Sequence, residues 1–220
     1  MGLLPKVIFL DAVGTLFGVN GGVGDIYAAC AQRHYVEADA KHLNQAFLKV
    51  FKAAPPMAFP NSEPTQVPAQ EYALWRAIVQ QTFSELGLLQ EFADFDAFFE
   101  ELYAYFATSA PWFVYPDVID ALKRWRRRGI ELGVISNFDS RLYTVLEALN
   151  LGVFFQSVTI SSEVGAAKPN DLIFATALQK HGCLAAAAWH VGDSYQEDYR
   201  GSMASGLKGI WLNRSSSKRA

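Results

Sequence analysis

An apolar run that ends in one carboxylate and a glycine turn constrains this chain more than any other feature. Four consecutive strand-forming residues, 7–10, are followed by Asp11, and Gly14 and Thr15 come shortly after it. Such a run is typical of a strand buried on both faces of a parallel sheet. Open α/β sheets bind ligands at the carboxyl ends of their strands, so we expect Asp11 to lie at a ligand site. A buried strand that ends in a helix-capping Asp would give the same local pattern.

Three later segments repeat this arrangement of an apolar strand and a short polar stretch. Residues 130–135 run into Ser136-Asn137, residues 157–160 lead toward Lys168-Pro169, and residues 188–191 run into Gly192-Asp193-Ser194. Segments with helical spacing separate them, at 118–128, 140–149, 171–181 and 196–204. Alternating strands and helices predict an α/β fold with a doubly wound parallel sheet, whose polar stretches all meet at one edge.

The polar residues at these four points carry a family resemblance. In type, order and separation they resemble the four motifs of the haloacid dehalogenase-like (HAD) hydrolase superfamily: Asp11 with Thr15, Ser136 with Asn137, Lys168, and Asp193 with Asp198. The resemblance covers nearly the whole chain and implies a Rossmann-type core. It also implies that Asp11 attacks a phosphoryl group, or a carbon that bears a leaving group, and that water then hydrolyses the covalent aspartyl intermediate.

The charges of the predicted site favour a divalent cation. Asp11 and Asp193 would lie at neighbouring strand ends, and two carboxylates in one dry pocket repel each other, so one of them would keep its proton. Mg²⁺ binds one or two carboxylates together with phosphate oxygens and water. We therefore expect Mg²⁺ as cofactor, with Asp11, Asp193 and the backbone carbonyl of Val13 as ligands.

The other motif residues have roles that suit an anionic substrate. Lys168 would supply a fixed positive charge, and Ser136, Thr15 and the backbone amides around Asn137 would donate hydrogen bonds to a phosphoryl oxygen. We expect Asp198 to be a partner of Lys168 or of a metal-bound water. Taken singly, Ser136 also fits an ordinary helix cap and Lys168 a solvated loop lysine.

Val13 departs from the commonest pattern of the superfamily. Its phosphatases usually carry a second Asp two residues after the nucleophile, which acts as general acid and then as general base, and such a group contributes about 10²–10⁴ in rate. The string from Asp11 to Phe17 is in fact most similar to the 2-haloacid dehalogenases, which need no proton donor for a halide. Those enzymes work without metal and lack a Gly-Asp-Ser motif, so Asp193 argues against dehalogenation.

Three functional hypotheses follow from these residues. The favoured one is a Mg²⁺-dependent phosphatase that acts on a small phosphorylated metabolite through an aspartyl-phosphate. The second is a hydrolase of the 2-haloacid dehalogenase type. The third is a weakly active or inactive HAD-fold binding protein in which Val13 has reduced turnover. Metal dependence, halide release and binding without turnover distinguish the three.

The long interval between the first two motifs predicts a separate helical unit. A structureless loop of this length is implausible in a compact domain, and residues 24–35, 39–53, 69–86 and 94–108 have helical patterns. We expect a helical cap domain at 18–112, a catalytic core at 1–17 and 113–220, and hinges near 18–24 and 110–116. The proline-rich segment 54–68 would be a stiff loop over the pocket, and the regularly spaced aromatics from Phe92 to Phe106 would be a buried helix stripe.

Composition adds little beyond exclusions. The 220 residues are 51% hydrophobic with a formal net charge of −3, which gives no electrostatic reason to expect a nucleic-acid partner. The basic run at 123–128 fits the solvated face of an amphipathic helix. Cys30 and Cys183 lack a metal or redox spacing and fit reduced thiols in a cytoplasmic protein. No segment suggests a membrane span, residues 215–220 are expected to be a frayed tail, and the oligomeric state stays open.

Overall fold

The computed structural model describes residues 4–214, and a parallel sheet forms its centre. The strands of this sheet have the order β5-β4-β1-β6-β7. Their bounds are β1 Val7–Leu10, β4 Glu131–Ser136, β5 Ser157–Ile160, β6 Ala188–Gly192 and β7 Lys208–Trp211. All neighbouring pairs in this sheet are parallel. The predicted α/β fold with a parallel sheet is confirmed.

The register of the sheet brings the polar strand ends together. Leu10 of β1 lies opposite Val134 of β4 and Val191 of β6. All four residues of β1 are buried, because strands flank it on both sides and helices cover both of its faces. Asp11 follows Leu10 and therefore lies between the carboxyl ends of β4 and β6. This is the edge at which open sheets bind ligands.

Some helices cover the two faces of the sheet, and others form a separate group beside it. Their bounds are α1 Val23–Arg33, α2 Ala40–Ala53, α3 Val67–Glu85, α4 Phe95–Tyr105, α5 Val118–Arg127, α6 Arg141–Ala148, α7 Ser161–Val164, α8 Asp171–Lys180 and α9 Gly201–Ala204. Ile8 and Leu10 pack with residues of α5 and α6, whereas Val7 and Phe9 pack with residues of α8. The alternation of β1 side chains between two cores is the signature of a doubly wound sheet.

Helices α1 to α4 share a hydrophobic core of their own. Phe83, Phe98 and Phe99 are buried in it, and Phe92 and Phe106 pack against it. The predicted buried stripe is confirmed at Phe98 and Phe99 of α4, whereas Phe92 precedes this helix and Phe106 is its C-cap. The basic run at 123–128 is exposed around the end of α5, as expected, while Val118 and Leu122 of the same helix are buried.

The chain enters and leaves this helical group through a two-stranded antiparallel ribbon. Strand β2, Phe17–Val19, pairs with β3, Trp112–Val114, and Phe17 lies opposite Val114. The sequence suggested only hinges, a glycine-rich one at 18–24 and a second at 110–116. The two short strands were missed because each is only three residues long, and they form through pairing across the whole helical insertion.

Two further expectations need correction. Pro68, assigned to the extended loop, lies in the first turn of α3, where a missing N–H is tolerated. The expected helix at 196–204 is not one regular helix, because Tyr195–Arg200 is a π-helix and α9 follows it. The backbone N–H groups of both Asp198 and Tyr199 donate to Ser194 O, at 3.0 and 3.2 Å. Such bulges occur frequently at functional sites.

Both cysteines are free thiols. Within residues 4–214, no helix is long and apolar enough to cross a membrane. The expected tail at 215–220 lies outside the described residues.

Candidate active site

The loop after β1 forms a tight turn beside the carboxylate of Asp193. Gly14 has a φ of 89°, which favours glycine. A Cβ at this position would also collide with the carboxylate of Asp193, so glycine is needed for both conformation and space. The hydroxyl of Thr15 donates to Asp193 Oδ1 at 3.3 Å. The loop thus brings the first and fourth motifs into contact, although their residues are about 180 positions apart in the chain.

Lys168 lies at the centre of a buried charge cluster. Its Nζ donates to Asp11 Oδ1 at 2.6 Å, to Asp198 Oδ1 at 2.5 Å and to the backbone oxygen of Ile135 at 3.0 Å. An ammonium has three donors, and all three are used. The Lys168 side chain is 1% exposed, so the alternative of a solvated loop lysine does not apply.

Asp198 is held on all sides by donors. Besides Lys168, Nε2 of His190 lies 2.9 Å from its Oδ1, and the backbone N–H of Ser194 donates to its Oδ2 at 2.9 Å. The expected proximity of Asp198 to Lys168 is observed. His190 was not predicted. A polar residue inside the apolar strand β6 was the signal that could have identified it.

The charges of this cluster are strongly coupled. Burial raises the pKa of Asp11, and the Lys168 ammonium opposes that rise. Burial alone would also raise the pKa of Asp198, but Lys168 and the His190 donor outweigh burial and hold it below its usual value. Burial tends to lower the pKa of Lys168, yet the two carboxylates raise it above its usual value. The cluster therefore consists of one ammonium between two carboxylates.

Asp193 lies at the solvent side of the same group. Its side chain is exposed, but partial desolvation by the surrounding loops, and then the negative charge of Asp11, raise its pKa to about 6. Carboxylate oxygens of Asp11, Asp193 and Asp198 lie within 4.8 Å of one another. A nearby cation would stabilise the ionised form of this group.

The donor set fits a hard cation such as Mg²⁺. Both oxygens of Asp198 already accept hydrogen bonds, whereas Lys168 and Thr15 each donate to only one oxygen, Oδ1 of Asp11 and Oδ1 of Asp193. Mg²⁺ is held in proteins by one or two carboxylates together with water and phosphate oxygens. Asp11 and Asp193 are therefore the carboxylates that could hold the ion, whereas Asp198 forms an ion pair with Lys168.

The second motif lies across the pocket at the end of β4. Ser136 is buried there. The side chain of Asn137 is turned toward the backbone of Lys168: its Oδ1 accepts from Lys168 N at 2.7 Å and its Nδ2 donates to Lys168 O at 3.0 Å. The amide side chain of Asn137 thus braces the lysine. Val13, by contrast, packs with its side chain against the main core and leaves no carboxyl group two residues after Asp11.

Helix α3 binds the loop that continues from this motif. Glu71 is fully buried and accepts from the backbone N–H and the hydroxyl of Ser140, at 3.0 and 2.5 Å. Trp75 Nε1 donates to Asp139 Oδ2 at 2.7 Å. Arg141 pairs with Asp139 at 2.7 Å and donates to Tyr103 O at 3.1 Å. Sequence reasoning missed all of these contacts.

The proline-rich loop also reaches the sheet edge. The hydroxyl of Ser161 donates to Met57 O at 2.5 Å, and Pro60 lies against Gly165, where a Cβ would approach its backbone to 3.0 Å. Ser161 and Gly165 belong to the segment that leads from β5 to Lys168. The loop therefore contacts the segment that precedes Lys168 and lies beside the predicted site.

Comparison with known proteins identifies the class to which this fold and site belong. The sequence model of the haloacid dehalogenase-like hydrolases matches residues 5–206. The haloacid dehalogenase-like hydrolase domain-containing protein 3 of Bos taurus is 35% identical over 202 residues, which are 92% of this chain and 79% of that protein. The chain therefore belongs to the haloacid dehalogenase-like hydrolase family, as the motifs predicted.

Two further similar proteins have different activities, one a phosphatase and the other a dehalogenase. Glyceraldehyde 3-phosphate phosphatase of Methanopyrus kandleri is 36% identical over 101 residues, 46% of this chain and 43% of that enzyme. Among solved structures, the L-2-haloacid dehalogenase RSc1362 superposes with a TM-score of 0.72 at 19% identity, and covers 96% of this chain and 88% of that one. At this identity the structural likeness shows the shared fold alone.

Proposed function

We propose that this protein is a Mg²⁺-dependent phosphatase that acts on a small phosphorylated molecule through an aspartyl-phosphate at Asp11. The observation that carries the proposal is the carboxylate pair of Asp11 and Asp193 beside Lys168. Two neighbouring carboxylates suit a divalent cation, and a phosphoryl group supplies the further oxygens that Mg²⁺ takes. The similarity to a phosphatase over about half of the chain supports the same reading.

The chain's own residues supply the groups for each step. One carboxylate oxygen of Asp11 attacks phosphorus, and the other, Oδ1, which accepts from Lys168, would be the oxygen available to the ion. The bond between phosphorus and the leaving oxygen breaks, and its electron pair stays with that oxygen. Water then attacks phosphorus and releases Asp11 with inorganic phosphate. Bound Mg²⁺ would neutralise the charge that develops on the phosphoryl oxygens.

The helical group lies where a cap over the proposed site would lie. We propose that residues 18–112 form a cap over a core of residues 1–17 and 113–220, and that Thr15, Ser136 and the backbone around Asn137 bind the phosphoryl group. The contacts of α3 and of the proline-rich loop with the sheet edge support this arrangement. A cap that covers the pocket would exclude water from the attacked phosphorus.

Dehalogenation is a second candidate, because one observation favours it. Val13 leaves the loop without a proton donor at the usual place, and a halide needs none. The two candidates differ in their need for metal. A third possibility, a binding protein without turnover, differs in releasing neither product.

One experiment separates the candidates. Purified protein is incubated with a panel of phosphorylated metabolites and 2-haloacids, with Mg²⁺ or with excess chelator, and both phosphate and halide are measured. We expect phosphate release that requires Mg²⁺, and loss of both Mg²⁺ binding and activity in Asp193→Asn. The exposed Asp120→Asn on α5 is the matched control. Halide release that survives chelation, or ligand binding without either product, would contradict the proposal.

A further inference from the structure

Arg214 returns from the last strand to the loop that carries the predicted nucleophile. It follows β7 closely in sequence, and its guanidinium reaches back across the sheet edge. Nη2 donates to Thr15 O at 2.6 Å and Nε donates to Gly14 O at 3.1 Å. The side chain is 20% exposed, so water competes weakly for these bonds.

The same guanidinium holds the segment through which the chain returns from the helical group. Nη1 donates to Asp117 Oδ1 at 2.9 Å, and the guanidinium carbon lies 3.7 Å from the ring centre of Tyr115. The backbone N–H of Tyr115 donates to Leu16 O at 3.2 Å. Arg214 therefore joins the nucleophile loop to the base of the β2–β3 ribbon.

This combination of contacts depends on the shape of arginine. A planar guanidinium presents donors in several fixed directions and can bond two carbonyls and a carboxylate while it stacks on a ring. A lysine has the same charge but a single donor atom, so it cannot reproduce the set. The set of contacts therefore requires a guanidinium at position 214, and a positive charge alone would not form it.

We infer that Arg214 is a positioning residue that fixes the Gly14–Thr15 turn, and through it the approach of Asp193 to Asp11. Thr15 connects the two ends of this path, because its carbonyl accepts from Arg214 and its hydroxyl donates to Asp193. The inference rests on the proposed function for its catalytic consequence. The effect on the loop itself is independent of that function.

The surroundings of Arg214 allow chemical rescue. A cavity of about 70 Å³ lies beside it, lined in part by Leu10, Thr15 and Asp117. Removal of the side chain in Arg214→Ala would enlarge this space and open it next to the two carbonyls and the carboxylate. Free guanidinium ion carries the same planar set of donors and can take the vacated position.

The test compares Arg214→Ala with Arg76→Ala, a control whose guanidinium pairs with Asp96 in the helical group. We expect kcat/KM of Arg214→Ala to fall roughly 10- to 100-fold, because small misplacements of reacting groups have effects of that size. Low concentrations of guanidinium ion should restore part of this loss and leave the control unchanged. Arg214→Lys should show an intermediate loss, and it replaces Arg214→Ala if that variant does not fold.

Hydrogen exchange of the loop makes the inference independent of turnover. The N–H groups of Gly14 and Leu16 bond within the turn, to Phe17 O and Ala12 O, and their exchange should accelerate in Arg214→Ala but not in Arg76→Ala. If the wild-type protein turns over no phosphate ester, the proposed function fails and exchange still decides this inference. Unchanged exchange, or an activity loss that guanidinium does not restore, would overturn the role of Arg214.

Discussion

At the scale of single residues, Val13 is the position at which the proposed chemistry can be altered most directly. Its side chain packs against the core, and it offers no proton to a leaving alcohol. Val13→Asp should raise turnover of alkyl phosphates, by up to about 10²-fold, and affect aryl phosphates less, because their leaving groups need less protonation. Rates measured on a series of leaving groups test this.

Val13→Asn is the matched control, since the Asn side chain has nearly the same shape as that of Asp but cannot give or take a proton. The idea is wrong if Val13→Asp is folded and its dependence on the leaving group equals that of wild type. In that case another group already serves as acid and base.

The raised pKa of Asp193 makes Mg²⁺ binding dependent on pH. Its pKa of about 6 in the metal-free protein means that below this pH a proton occupies the carboxylate and competes with Mg²⁺. Above about pH 7 the Asp193 carboxylate is ionised, so its protonation no longer lowers the Mg²⁺ affinity. We expect the apparent Mg²⁺ affinity to fall about tenfold per pH unit below pH 6, as measured by calorimetric titration. A constant affinity from about pH 5 to pH 7.5 would contradict this.

The residues that could be predicted from the sequence are those at strand ends. Asp11, Lys168 and Asp193 follow apolar runs directly or by a short loop, so the parallel topology alone brings them to one edge. Glu71 and Arg214 could not be found in this way. Each acts through contacts with residues far away in the chain, and their own neighbourhoods look like ordinary helix surface and chain end. Such contacts depend on tertiary packing and leave no local pattern.

At the scale of elements, the attachment of α3 to the loop after β4 is the contact with the clearest energetic consequence. Glu71→Ala would leave the N–H and hydroxyl of Ser140 without their partner in a buried place. We expect the free energy of unfolding to fall by about 2–3 kcal/mol, measured by denaturant titration.

The control lies on the same helix. Glu85 pairs with Lys49 on the surface, and Glu85→Ala should lower the free energy of unfolding by less than about 1 kcal/mol. Equal effects of the two substitutions would show that the buried contact of Glu71 contributes nothing beyond an exposed ion pair.

The π-helix shows how an element adapts to the site. The spacing of residues 196–204 predicted a regular helix. Instead, Asp198 points inward to Lys168 and His190, and Ser194 caps the turn by accepting from the N–H of Glu197 at 3.2 Å. Since polar contacts with distant residues outweigh local propensity here, the deviation marks the site.

At the scale of the whole molecule, the sheet supplies the charged cluster and the helical group lies against its edge. Two hydrophobic cores on the faces of the sheet and a third among α1 to α4 let the two parts pack separately. The contacts between them lie near the second and third motifs. Substrate choice would therefore depend on residues from both parts, while the bond-breaking chemistry would depend on the sheet edge alone.

Covalent phosphorylation of Asp11 tests the central claim most directly. Wild-type protein is mixed with Mg²⁺ and a phosphate ester that it hydrolyses, quenched with acid during turnover, and digested for mass spectrometry. We predict a phosphoryl group on the peptide that contains Asp11, which persists longer than in Val13→Asp because wild type lacks the base that would activate water. Asp11→Asn should carry no phosphoryl group and release no phosphate. Phosphate release by a folded Asp11→Asn at the wild-type rate would contradict the account.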